Sequence, residues 1–224
     1  MSQSPEIVVR RPSESVLASN KVIKNTYMLL SMTLLFSALT AWISMQINMP
    51  YLGVLVTLGG YFALLFLTAA LRNSAWGILS IFAFTGFMGL TLGPIINMYL
   101  HAFSNGAELV ALAMGGTGAI FIGLSSYALT TKKDFSFMGG FLMVGILAAF
   151  LAGIGALIFS IPALSLAVSG LFIMLMSGLI LYQTSEIIHD GETNYIMATI
   201  TLYMSIYNLF MSLLHILGAV AGDD

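Results

Sequence analysis

Seven long apolar stretches follow one another along this chain, and the charged residues fall almost entirely between them. A run of roughly 20 apolar residues crosses a hydrocarbon core about 30 Å thick. Inside that core no water bonds the backbone, so a crossing segment must satisfy its own N–H and C=O groups as a helix or within a closed barrel. The runs here are continuously apolar, without the period-two alternation of a membrane barrel strand. The expected fold class is an all-α polytopic membrane protein, a bundle of seven transmembrane helices. Charge supports it: seven Lys/Arg and nine Asp/Glu among 224 residues are too few to cover a water-soluble domain. A mean hydropathy of +1.00 agrees.

Seven crossings leave little chain for any soluble domain, and the expected division is a head, residues 1–25, a membrane domain, 26–221, and a short tail, 222–224. The head holds Arg10, Arg11, Lys21 and Lys24 with two prolines, and is expected to be mobile to about Ser19. It has no apolar signal-peptide core, so the first span is expected to act as an uncleaved insertion signal. The spans are placed at 26–48, 51–71, 75–100, 109–131, 137–160, 162–186 and 195–220. Pro50 disfavours helix at Met49 and marks the first turn. Pro162 opens the sixth span, where its missing N–H costs nothing.

Orientation follows from the basic residues. Arg10, Arg11, Lys21, Lys24, Arg72, Lys132 and Lys133 all fall on one side of the seven-span layout. The positive-inside rule makes that side cytoplasmic and puts Asp223 and Asp224 outside. Glu186, Asp190 and Glu192 form an acidic rim on the cytoplasmic side without a cation in their loop.

Several chemistries are excluded or disfavoured. The net charge of −2 offers no nucleic-acid surface. Without cysteine there is no disulfide, thiolate metal site or Cys nucleophile. No acid lies near the middle of a span, which argues against a carboxylate proton relay or a dehydrated calcium site. His101, His189 and His215 are far apart, with no metal-ligand spacing. No nucleophile elbow or Walker loop occurs, and no Ser/His pair can be placed within the membrane. No catalytic residue, metal or cofactor is expected, and the chain reads as a non-enzyme.

Two polar or small-residue patterns remain. Gly86, Gly89 and Gly93 precede Pro94 in span three. They read as a packing notch and helix bend, or as a hinge or cavity-lining break. In span seven, Thr201, Ser205, Asn208, Ser212 and His215 recur at steps of three and four, which places them on one helical face. Such a stripe faces the bundle rather than lipid, where Gln183 and Thr184 of span six can meet it. It serves either interhelical hydrogen bonding or a polar path along the bundle axis.

The segment Gly86-Phe-Met-Gly-Leu-Thr-Leu-Gly-Pro94 resembles the signature of the Bax inhibitor-1 (transmembrane Bax-inhibitor motif) family. So do the seven spans and the polar stretch between spans six and seven. A narrower resemblance, to bacterial inner-membrane members, rests on the segments beginning at Asn20, Leu129, Ile188 and Leu202, and covers the chain from about Ser19. It implies a bundle of the Bax inhibitor type. It also implies a partner, the membrane-anchored AAA+ protease FtsH, for which such proteins are slow substrates and inhibitors that protect a jammed export translocon. The head is the part the protease grips in them. Calcium-leak members of the wider family carry an aspartate pair whose positions here, by the Leu181-Tyr182 and Leu202-Tyr203 landmarks, are Gln183 and Ser205. Neither titrates, which removes pH gating by that mechanism. The expected function is therefore FtsH modulation. The alternative is a cation leak with altered or absent gating, lined by Gln183, Ser205, Asn208 and Ser212.

Overall fold

The structure is a computed structural model and describes residues 12–189 and 191–222, with side chains from Asn20 onward. Arg10 and Arg11 of the head, Asp190 of the acidic rim and Asp223–Asp224 of the tail lie outside the described residues. Seven helices follow in chain order: α1 (Pro12–Gln46), α2 (Val54–Leu71), α3 (Trp76–Ala102), α4 (Gly106–Thr131), α5 (Gly139–Ile158), α6 (Pro162–Ile188) and α7 (Tyr195–Ala221). A short 3-10 turn, Ser136–Met138, leads into α5. No strand occurs among the described residues. All seven helices are long and apolar enough to cross a bilayer.

The helix limits differ from the apolar runs where polar residues also favour helix or where the backbone must turn. α1 begins at Pro12 rather than near Thr26, although its membrane-length part is Asn20–Gln46. Hydropathy marks the lipid boundary, whereas a helix continues beyond it until something stops it. Pro12 suits a first turn, with its φ preset and no N–H to leave unpaired. At the other end, Asn48 takes a φ of 49°, and the chain reverses before Pro50. α2 then waits until Val54, because Gly53 at φ 80° holds a conformation that side-chain-bearing residues rarely adopt. Lys132, at φ 51°, stops α4 in the same left-handed region.

α1 lies most intimately on α3, and α6 on α7. α7 is central and touches α1, α3, α4 and α6, whereas α2 leans on α3 and α5 on α6. Phe84, Ile81, Leu202, Tyr203 and Leu209 fill the middle of the bundle. Phe141, Met143, Val144 and Leu147 of α5 point outward as a hydrocarbon-facing surface.

Candidate functional site

Three features stand out in the bundle: a glycine notch between α1 and α3, a polar face on the central helix α7 and a polar collar near one end. The notch is the seat of α1 on α3. A Cβ at Gly86 would lie 2.7 Å from the ring of Phe36, and one at Gly93 would lie 2.6 Å from the Ser44 side chain. At Gly89 it would collide with Thr40 and the Ser37 carbonyl. Gly89 and Gly93 thus let the α1 backbone approach, as small residues do at membrane helix interfaces, while Gly86 makes room for the Phe36 ring. α3 runs unbroken through Pro94. The proline deprives the Leu90 carbonyl of its usual donor, and Ser44 of α1 supplies one, its Oγ donating at 2.8 Å. Beside this junction a cavity of about 790 Å³ is lined by Pro94, Asn97, Asn48, Tyr51, Met211 and His215 among others.

The α7 stripe is arranged differently from a continuous polar path. Ser205 is fully buried, and its hydroxyl donates to the Thr201 carbonyl one turn earlier, at 2.8 Å. Asn208 donates in the same way to Met204 at 2.8 Å. These groups therefore satisfy themselves within α7 rather than across helices. Ser212 is buried nearby. His215 does reach across: its Nδ1 lies 2.7 Å from Ser169 Oγ of α6. Sequence reading placed no Ser/His pair in the membrane, because the two residues sit on helices whose relative register a sequence does not give. A hydroxyl beside an imidazole is the geometry of a nucleophile and its base. Here Ser169 is off the wall of the adjoining cavity, and the bond ties α6 to α7.

Gln183 and Thr184 sit toward the other end of α6. The Thr184 hydroxyl is 3.2 Å from that of Tyr27 in α1, and Thr199 of α7 donates to the Thr26 carbonyl at 3.3 Å. The Gln183 amide nitrogen is buried without a hydrogen-bond partner among the described residues. Of the four basic residues assigned to the head, Lys21 and Lys24 lie exposed on α1. Among the described residues no three His, Asp or Glu side chains gather as a metal site.

Sequence reading missed the residues that fasten the loops at that end. Asn194 caps α7, its Oδ1 accepting from Ile196 and Met197 N–H at 3.0 and 3.1 Å. Its amide nitrogen donates to the Arg72 carbonyl at 3.0 Å and to Asn73 Oδ1 at 2.9 Å. One side chain thereby joins the α6–α7 and α2–α3 connections. An Asn immediately before an apolar helix was the available signal. Ser185 does similar work for the α4–α5 loop, accepting from Phe135 N–H at 2.9 Å.

Comparison with known proteins gives this arrangement its relatives. The family model described as inhibitor of apoptosis-promoting Bax1 matches residues 19–222. The chain belongs to the Bax inhibitor family. Within that family it is 50% identical over 209 residues to the Escherichia coli modulator of FtsH protease YccA, covering 93% of this chain and 94% of the relative. A sequence from another Escherichia coli strain, matching to the same extent, is named inner membrane protein YccA. An uncharacterized Pseudomonas aeruginosa protein is 55% identical over 203 residues, 91% of each chain. In this Bax inhibitor protein Gln183 and Ser205 are both buried and uncharged. They can donate and accept hydrogen bonds but cannot carry a titrating proton.

Proposed function

We propose that this chain is an inner-membrane modulator of FtsH, acting as a slow substrate that occupies and thereby restrains the protease. The observation that carries the reading is its end-to-end similarity to a protein named for that activity, over 93% of this chain and 94% of the relative. The placement of all seven Lys/Arg on one side supports a cytoplasmic N-terminus and a periplasmic C-terminus. In this arrangement residues 1–25, with Arg10, Arg11, Lys21 and Lys24, form the handle offered to the protease. The bundle behind it resists extraction. Dragging polar loops and backbone through hydrocarbon is costly, and the close α1–α3 seat must part first.

The test is crosslinking in native membranes followed by turnover measurements. The chain is expected to capture FtsH, and raised levels of it are expected to slow decay of a second FtsH membrane substrate. A chain that captures no FtsH and leaves that decay unchanged is not a modulator of it.

A further inference from the structure

The cavity beside Pro94 lies at the end of the bundle where α1, α3, α5 and α7 finish, away from the connections that carry Arg72, Lys132 and Lys133. Twelve residues line it, and three are methionines: Met49 of the α1–α2 turn, Met98 of α3 and Met211 of α7. The whole chain has 15 methionines among 224 residues, so a wall with this share of them is a local gathering. His215 of α7 lines the same cavity. None of the twelve is Asp, Glu, Lys or Arg.

Only two of these four side chains are neighbours in sequence; the fold brings in the others. Met211 and His215 are one turn apart, so they share a face of α7 with Cβ atoms roughly 5–6 Å apart. The same spacing lets two histidines of one helix hold a zinc ion. His215 Nδ1 lies 2.7 Å from Ser169 Oγ. When Nδ1 donates to that oxygen, Nε2 is the unprotonated nitrogen, the form in which an imidazole ligates. On the α1–α3 side, Asn97 Nδ2 donates to the Met45 carbonyl at 3.2 Å, and Met49 N–H donates to the Ser44 carbonyl at 3.0 Å. These bonds tie the backbone next to Met98 to the turn that carries Met49. The thioethers sit on three rotatable bonds and adapt to what they hold.

We propose that Met49, Met98, Met211 and His215 bind a soft monovalent metal ion, copper(I). The donor set decides the ion. Thioethers select copper(I), and imidazole also suits copper. Calcium and magnesium take oxygen ligands, carboxylates above all, and no carboxylate lines this cavity. Zinc takes thiolate, imidazole or carboxylate, and His215 is the one such group on the wall. Ser169 is a positioning residue, which orients the imidazole and fixes its tautomer from outside the cavity. This inference goes beyond the FtsH reading and does not rest on it.

The full chain in detergent is titrated anaerobically with copper(I) held by a chromophoric chelator, bicinchoninate. It is expected to withdraw one copper per chain. Met211→Leu and His215→Leu are each expected to weaken binding by ~10-fold or more, and Ser169→Ala by about 10-fold with the stoichiometry kept, as when a ligand's supporting partner is removed. Met143→Leu, on the outward face of α5, is expected to change nothing. Leucine conserves the volume of methionine, so Met211→Leu is expected to fold, which its unfolding midpoint checks. X-ray absorption at the copper edge is expected to show sulfur neighbours, fewer of them in Met211→Leu. No copper withdrawn, copper withdrawn equally well by Met211→Leu and His215→Leu, or a shell of oxygen and nitrogen alone overturns the proposal. Displacement of the copper by equimolar zinc(II) overturns the choice of ion.

Discussion

Ser44 and Pro94 show how one residue's defect is answered by another far along the chain. In hydrocarbon an orphaned carbonyl has no water to turn to, so the donation from Ser44 to Leu90 stabilises the α1–α3 seat. Ser44→Ala is expected to cost about 1–3 kcal/mol, read as a lowered unfolding midpoint in detergent. In a Pro94→Ala background the helix regains its own N–H, and the same Ser44→Ala change is expected to cost much less. Equal losses in both backgrounds would show that the two residues do not interact. At the loops the relevant charge is Asp134, which accepts from the Ser136 N–H at 2.8 Å. That hydrogen bond to the backbone, followed by one to the Ser136 hydroxyl, holds its carboxyl below the usual 3.8. A carboxyl with a depressed folded value stabilises the turn above its unfolded value and loses that contribution as pH falls through the folded one. Asp134→Ala is therefore expected to lower stability equally at pH 7 and pH 5, and the gap to the parent chain is expected to close only below 3.8. A gap already closing between pH 7 and 5 would rule out this assignment.

At the level of helices, the same residue type has opposite consequences according to what it faces. Gly89 lies against the Ser37 carbonyl, whereas Gly115 of α4 has open space around it. Gly89→Ala is expected to push α1 off α3, destabilising by about 1–3 kcal/mol as overpacking does. Gly115→Ala is expected to be neutral or to add up to about 1 kcal/mol through helix propensity. Thermal unfolding of the two variants side by side checks this, and equal effects would remove the notch from the account. Sequence alone made the seven helices and most of their turns legible, because length, apolarity and proline placement act locally. It did not distinguish these two glycines, since only the packing partner differs. The start of α1 at Pro12 was also hidden, because hydropathy reports the lipid boundary and not the helix end. Spacing alone puts the α7 stripe on one helical face, but it does not give the direction of its hydrogen bonds. Ser205 and Asn208 turn back onto their own helix, a choice of rotamer that spacing does not encode.

For the whole molecule, the proposed behaviour depends on how firmly the bundle behind the head is held. An ATP-driven unfoldase starts on a weakly held segment and stalls on a well-packed one. Behind the head, α1 is held near its start by Tyr27 to Thr184, and between Phe36 and Ser44 by Ser37 to Tyr203, Ser44 to Leu90 and the glycine notch. Removing residues 1–15 takes away the end of the chain and the first turn of α1, while Asn20–Gln46, the membrane-length part, is retained. The truncated chain is expected to insert and fold, to persist longer than the parent in FtsH-containing cells, and to decay at the parent's slow rate in cells lacking the protease. Labelling at an engineered residue near position 4 is expected to report the cytoplasm if the proposed orientation holds. If the truncated chain decays as fast as the parent where FtsH is present, the protease grips elsewhere. Loosening the notch provides the complementary arm: Gly89→Ala in the full chain is expected to speed FtsH-dependent decay, because the first helix to be pulled is then the one least well seated. Slower or unchanged decay of that variant, with its folding verified, would mean that extraction of α1 does not limit the protease.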